Sequence, residues 1–336
     1  MPASPHRRSN GIFRPLESFM QNLGHTCCAF LRSGLLLLGV LLIGCTAPVK
    51  LESATWQSTR WNGETAWAAD SGEWRAVVSV DRARLIFLSP KSSDTNLLYA
   101  PPLPLEYFRP RGGHICWLGP QSEWTGKWGA WPPPVEWEQQ AAASVQTDGP
   151  RLSLTLPRPD QNRPQLKRSY RWENDVLLCE VSWSGGTGDF QAIQILQLPL
   201  RATVEARRLA ENDPGFVRFG TNGKQDLEPK VLGEETTLLS AETVRLTAQK
   251  TSAKFGFRPH TLDAHIDGHG LELGRGELHG VTVNAPDRGF ETQVFLGNPP
   301  YPFVEIEQLT PRLKNRGNTA NSFTISLKPR RLVPAP

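Results

Sequence analysis

Two glutamates near the end of the chain, Glu305 and Glu307, stand two residues apart in Phe303-Val-Glu-Ile-Glu-Gln-Leu-Thr-Pro311. Side chains alternate across a strand, so this spacing puts both carboxyls on one face. Neighbouring carboxyls raise one another's proton affinity, which suits a general acid or base. The alternative is a solvated pair, or ion pairs with Arg312 and Lys314. A second group lies in Arg109-Pro-Arg-Gly-Gly-His-Ile-Cys-Trp-Leu-Gly-Pro120. Gly112 and Gly113 carry no Cβ, so the backbone there can turn sharply or approach a ligand closely. Arg111 beside them offers a planar fork of donors for vicinal hydroxyls or an anion. His114 follows, an imidazole able to stand in as a proton donor. Trp117, Trp124, Trp128, Trp131 and Trp137 crowd the same Pro-rich region. Flat sugar C–H faces stack on the electron-rich face of an indole, so the cluster reads as a carbohydrate platform or as the cover of a sheet edge.

Other chemistries lack their residues. His260, His265, His269 and His279 fall close to Asp263 and Asp267, all common ligand types. Their spacing matches no helix-borne His-Glu-x-x-His pattern, and the local glycines read as hairpin turns, so neither a metal nor a cofactor is expected. No Gly-x-Ser-x-Gly elbow, phosphate loop or dinucleotide fingerprint occurs. The net charge of +4 is small and spread out, without a basic stripe interleaved with aromatics, which argues against nucleic acid.

The elements that must position these groups have a β texture. Trp74–Val80, Ala83–Leu88 and Arg151–Leu156 are short runs rich in β-branched or alternating apolar residues. Gln165–Trp172 and Asp175–Trp183 flank Glu173-Asn174 as a hairpin. Similar runs recur at 189–205, 236–248, 279–284, 290–296, 302–309 and 321–328. Leu209-Ala-Glu-Asn is the one place for a short helical turn. Many short strands with frequent turn signals predict an all-β sandwich.

The N-terminal region carries an address. Residues 35–45, Leu-Leu-Leu-Leu-Gly-Val-Leu-Leu-Ile-Gly-Cys, are too short to span a bilayer, which takes roughly 20 residues. With Arg32 before it, the run has the length of a signal-peptide core. Leu42-Ile43-Gly44-Cys45 resembles the lipobox of bacterial lipoproteins, which implies cleavage before Cys45 and acylation of its thiol. Translation from Met1 gives a long leader and from Met20 a more ordinary one. The organisation expected is a signal at 1–44, an anchor and tether at 45–75, and a single β domain at 76–331. Thr46 after the anchor, where an inner-membrane lipoprotein tends to carry Asp, leans towards an outer-membrane protein facing the periplasm. Export would permit a disulfide between Cys116 and Cys179, with two unpaired core thiols as the alternative.

Several short motifs resemble one family. Arg111-Gly-Gly-His-Ile-Cys-Trp-Leu-Gly-Pro is similar to the Arg-Gly-Gly-x-x-x-Cys-Trp stretch of hexose-phosphate mutarotases. It is more similar to an uncharacterised galactose-mutarotase-like (aldose 1-epimerase-related) group, whose Gly-Gly-x-x-x-Trp precedes a Trp-Pro segment, here Trp131-Pro132-Pro133. Ala83–Ser89 with Asn96-Leu-Leu-Tyr99, Glu291-Thr-Gln-Val-Phe295 and the Glu305 segment resemble its opening strand, paired acidic strand and ending. The resemblance implies an antiparallel β-supersandwich with a sugar-sized groove, a late-strand Glu as base and a mid-chain His as acid. It makes Arg111, Trp117, Trp124, Gln194, Gln197 and Glu291 candidate sugar contacts, and Glu305, Glu307 and His114 candidate catalytic groups. The mid-chain strand Phe190–Pro199 carries Gln194 and Gln197 where the His belongs. An amide binds hydroxyls but transfers no proton. A lipid-anchored carbohydrate-binding domain is therefore the leading expectation. An active mutarotase and an envelope protein that binds a protein partner are the alternatives.

Overall fold

A computed structural model of the chain describes residues 54–332, apart from 104–110, 125–132, 208–215, 220–224, 227–232, 241 and 259–260. Cys45, the apolar run before it, Trp128, Trp131, His260 and the short helical turn expected at Leu209 lie outside the described residues. Among those described, nearly everything regular is antiparallel strand, and the one α-helix is Val135–Glu138.

Among the described residues the strands make two large sheets, a four-stranded one and a two-stranded pair, Thr282–Asn284 with Arg312–Leu313. The seven-stranded sheet runs, edge to edge, Gln225–Asp226, Phe216–Phe219, Ala253–Phe257, Thr292–Asn298, Tyr301–Leu309, Gln191–Pro199 and His114–Gly119. A ten-stranded sheet packs against it, with His269–His279 and Asn321–Arg331 at its middle and Val176–Ser184 and Gln165–Glu173 next in order. Four strands from Gln57 to Pro90 form the third sheet. Strands Gln57–Trp61 and Glu64–Ser71 fall where the sequence reads as tether, so the folded body begins earlier than 76. Gln57–Trp61 is mostly polar and the apolar residues of Glu64–Ser71 are one tryptophan and three alanines, a weak apolar signature. One continuous core, with Ile306, Leu196, Phe255, Tyr170, Phe323 and Leu177 among its members, joins the two large sheets.

Local chemistry explains the turns. The Gln165–Glu173 and Val176–Ser184 strands join through Asn174 and Asp175, both at positive φ (47° and 62°). Asn and Asp are the non-glycine residues that best tolerate this conformation. The turn sits one residue later than the sequence suggested. The long run at 189–205 divides into Gln191–Pro199 in one sheet and Thr203–Arg207 in the other.

Candidate functional site

The strand Tyr301–Leu309 lies between Thr292–Asn298 and Gln191–Pro199, and register fixes which residues share a face. Glu305 is opposite Gln197 and Phe295, while Glu307 is opposite Ile195 and Gln293. Phe295 is in turn opposite Lys254. These residues form the face of the sheet turned away from the ten-stranded sheet. The intervening Val304, Ile306 and Gln308 point into the core with Leu196 and Leu198.

Glu305 is half-buried, and Gln197 Nε2 donates to its Oε1 at 2.7 Å. Burial, then the Glu307 charge, raises the Glu305 carboxyl from 4.5 to about 7, and the Gln197 bond offsets only part of that. Glu307 is buried and ionic: Lys254 Nζ donates to both of its oxygens, at 2.7 and 2.9 Å. The partner of Glu307 is thus Lys254, on a strand distant in sequence; Arg312 pairs instead with Glu123. One carboxyl is ion-paired with Lys254, and its neighbour, raised to about 7, is poised to exchange a proton near neutrality.

The Arg-Gly-Gly turn sits beside this pair. Gly112 and Gly113 both have φ of 76°, and an added Cβ would overlap Tyr99 O at the first and Leu85 O at the second. Gly113 N donates to Tyr99 O, Tyr99 N to Gln197 O and Gln197 N to Gly113 O, at 2.7, 2.9 and 3.0 Å. These bonds tie the turn to the strand that carries Gln197. Arg111 is half-buried, and burial together with nearby Arg84 and Arg82 lowers its pKa while Glu138 opposes the shift.

Glu138, which sequence reasoning missed, organises this corner. It is buried; Oε1 accepts from Arg84 Nη1 at 2.9 Å and from the Arg111 amide at 3.3 Å, and Oε2 accepts from Trp117 Nε1 at 3.1 Å. Arg84 also donates to Glu138 O at 2.7 Å, and Arg82 Nη1 donates to Arg111 O at 2.9 Å. Arg82 is itself buried against Glu64. Backbone carbonyls and buried arginines therefore shape the turn before any ligand arrives. Glu138 left only a weak signal, in Val135-Glu-Trp-Glu after three prolines. Lys254, in Ala-Lys-Phe-Gly-Phe, left none.

Other sequence candidates are placed elsewhere. His114 and Gln194 lie on the opposite face from Glu305, wholly buried between the sheets. His114 Nε2 donates to Gln194 Oε1 at 2.9 Å and Nδ1 accepts from the Tyr170 hydroxyl at 3.3 Å, while Gln194 Nε2 donates to Phe323 O. Burial and the Arg168 charge lower His114 to about 3, so it is neutral and walled off from solvent. The reason is strand parity: His114 and Cys116 face the core, whereas Ile115 and Trp117 face outward with Glu305. Trp117 and Trp124 pack edge to face, 5.5 Å between centroids, and are only 6% and 4% exposed. They cover the sheet end and present no open platform. Glu291 pairs with Arg275 of the ten-stranded sheet at 3.1 Å. Cys116 and Cys179 are unpaired and buried, and burial pushes the Cys116 thiol up to about 11. Asp263 pairs with Arg330 and Asp267 with Arg201, and no cluster of three metal-ligand side chains occurs among the described residues.

This architecture has counterparts. YeaD of Salmonella typhimurium, described as a candidate mutarotase, superposes with a TM-score of 0.52 over 82% of this chain and 94% of its own, at 12% identity. A galactose mutarotase-like protein from Lactobacillus casei gives 0.53 over 79% of this chain and 100% of its own, at 10% identity. No protein-family model and no curated protein matches the sequence. The fold is the all-β, antiparallel supersandwich of the galactose-mutarotase-like type.

Proposed function

We propose that this protein binds a carbohydrate on the outward face of its seven-stranded sheet, at Glu305, Gln197 and the Arg111 turn, as a lipid-anchored component of a bacterial cell envelope. The observation that carries the binding site is the Glu305–Gln197 contact beside a Lys254-paired Glu307. It sets a carboxyl that titrates near 7 against a buried amide, on the strand to which backbone bonds tie the Arg111 turn. Such a mixed set of donors and acceptors suits vicinal hydroxyls, and Phe295 supplies an apolar surface for a ring's C–H face. The galactose-mutarotase-like neighbours support this reading through their fold alone. Glycan arrays, and titration of glucose, galactose, mannose and their disaccharides followed by tryptophan fluorescence, test it. Saturable binding that changes between pH 6 and pH 8, as Glu305 ionises, is expected. No response to any of these sugars overturns the proposal.

One observation favours a catalytic version. A carboxyl with a pKa of about 7 exchanges protons efficiently at neutral pH. In mutarotation, a base removes the proton of the anomeric hydroxyl while an acid protonates the ring oxygen, so the ring opens and recloses. Ionised Glu305 supplies the base. The outward face carries no imidazole among its described residues, so water or Lys254 would have to supply the acid. Polarimetry on freshly dissolved anomers distinguishes a binder, which leaves the spontaneous rate unchanged, from an enzyme.

The envelope location rests on residues 35–45 and the lipobox-like ending at Cys45. Acyl chains stabilise attachment by about 0.8 kcal/mol per buried methylene, so two or three hold a protein without a spanning helix. In a bacterial host the Cys45→Ser protein is expected to lose its acyl group, visible by mass spectrometry of the N-terminal peptide, and to leave the membrane fraction. An unmodified Cys45 in the native protein would contradict the anchor.

A further inference from the structure

The face that carries Glu305 continues past it along both central strands. One step of two residues, roughly 7 Å, leads from Gln197 to Pro199 and from Glu305 to Phe303, which are directly opposite each other. Phe303 is buried and braces two tyrosines. Tyr99 lies against it at 5.4 Å between ring centroids and Tyr301 at 6.4 Å. Tyr301 is 53% exposed, a large fraction for an aromatic ring on a strand. Beside them opens a hollow of about 590 Å³ bordered by Tyr99, Pro199, Leu200, Arg201 and Pro302. Its polar edge is Arg201, held by Asp267 through paired bonds of 2.9 and 2.5 Å.

We infer that this hollow is a second saccharide subsite, so that the ligand is a di- or oligosaccharide whose terminal ring lies at Glu305 and whose next ring lies against Tyr99 and Tyr301. This rests on the carbohydrate reading of the Glu305 face and extends it to the ligand's length. Three features select a linked sugar. Pro199, on the border of the hollow, is the next residue after Gln197 on the same face of the same strand. Tyr99 on its border and Tyr301, packed on the same Phe303, offer electron-rich faces to C–H groups and hydroxyls to hydrogen bonds. The Arg201–Asp267 pair is exposed enough to share donors and acceptors with equatorial hydroxyls, at little desolvation cost. A purely apolar occupant would find no use for that charged edge.

The test is isothermal titration of the full-length protein with glucose against cellobiose and maltose, and with galactose against lactose. At least one disaccharide is expected to bind ten-fold or more tightly than its monosaccharide. Tyr301→Ala should reduce that disaccharide to the affinity of the monosaccharide, leave monosaccharide binding unchanged, and be rescued by Tyr301→Phe. Tyr301 is surface-exposed, so the fold tolerates these substitutions. Monosaccharide binding with no gain from a second ring, or a gain that survives Tyr301→Ala, overturns the second subsite and leaves the Glu305 site standing. Failure of every sugar of either length removes both.

Discussion

Replacing Glu305 with Gln is expected to stabilise the protein at pH 8 and to change its stability little at pH 4. The folded-state pKa of Glu305 is raised from 4.5 to about 7. Between those values the native protein keeps a proton that the unfolded chain has released. Stability contributed by the neutral carboxyl is therefore full below about pH 4.5 and is lost as pH rises towards 7. Each unit is worth about 1.36 kcal/mol, so the loss at pH 8 approaches about 3 kcal/mol. Glutamine stays neutral throughout and escapes it. Denaturant unfolding of both proteins across pH 4–8 reads the effect directly. Curves that stay parallel at every pH would show that Glu305 ionises normally. The same change should weaken sugar binding and, if the protein is an enzyme, slow anomer exchange by about 10²–10⁴-fold. Greater stability bought with weaker function is the usual signature of a binding residue held in an unfavourable state.

Loss of Glu138 should act in the opposite sense. Arg84 is completely buried, and its charge is neutralised there by Glu138 alone among the described ion pairs. Removing one partner of a buried pair leaves an uncompensated charge, which costs about 3–5 kcal/mol. Glu138→Ala should lower the urea midpoint accordingly, with Glu138→Gln milder because its amide oxygen can still accept from Arg84. The negative charge of Glu138 also helps to raise Glu305, so the Gln variant should shift the Glu305 titration downward. A Glu138→Ala protein as stable as the parent would mean that the buried arginines do not depend on it.

How much of this could be read from sequence follows from the range of each interaction. The Glu305–Ile306–Glu307 alternation is local, so the shared face of the two acids was visible in it. The antiparallel strands were visible for the same reason, through β-branched runs and a hairpin turn read at Glu173-Asn174, one residue from its place at Asn174-Asp175. The strand His114–Gly119 was not, because all six of its residues are buried and alternation left no trace. Without that strand the parity separating His114 from Trp117 could not be assigned. Lys254 reaches Glu307 across 53 residues of sequence and Glu138 reaches Arg84 across 54. Such long-range pairs depend on register between strands that meet only in the folded chain. The aromatic cluster misled for a different reason: indole side chains at a sheet end serve equally well as cover, and Trp117 and Trp124 bury each other.

Carbon-13 NMR of the glutamate carboxyls, recorded across pH with and without sugar, tests the central claim most directly. One resonance should titrate near pH 7, vanish in Glu305→Gln, and move on addition of a sugar from the panel above. A Glu305 resonance titrating near the ordinary 4.5, or one that no sugar perturbs while sugars bind elsewhere, would contradict the account.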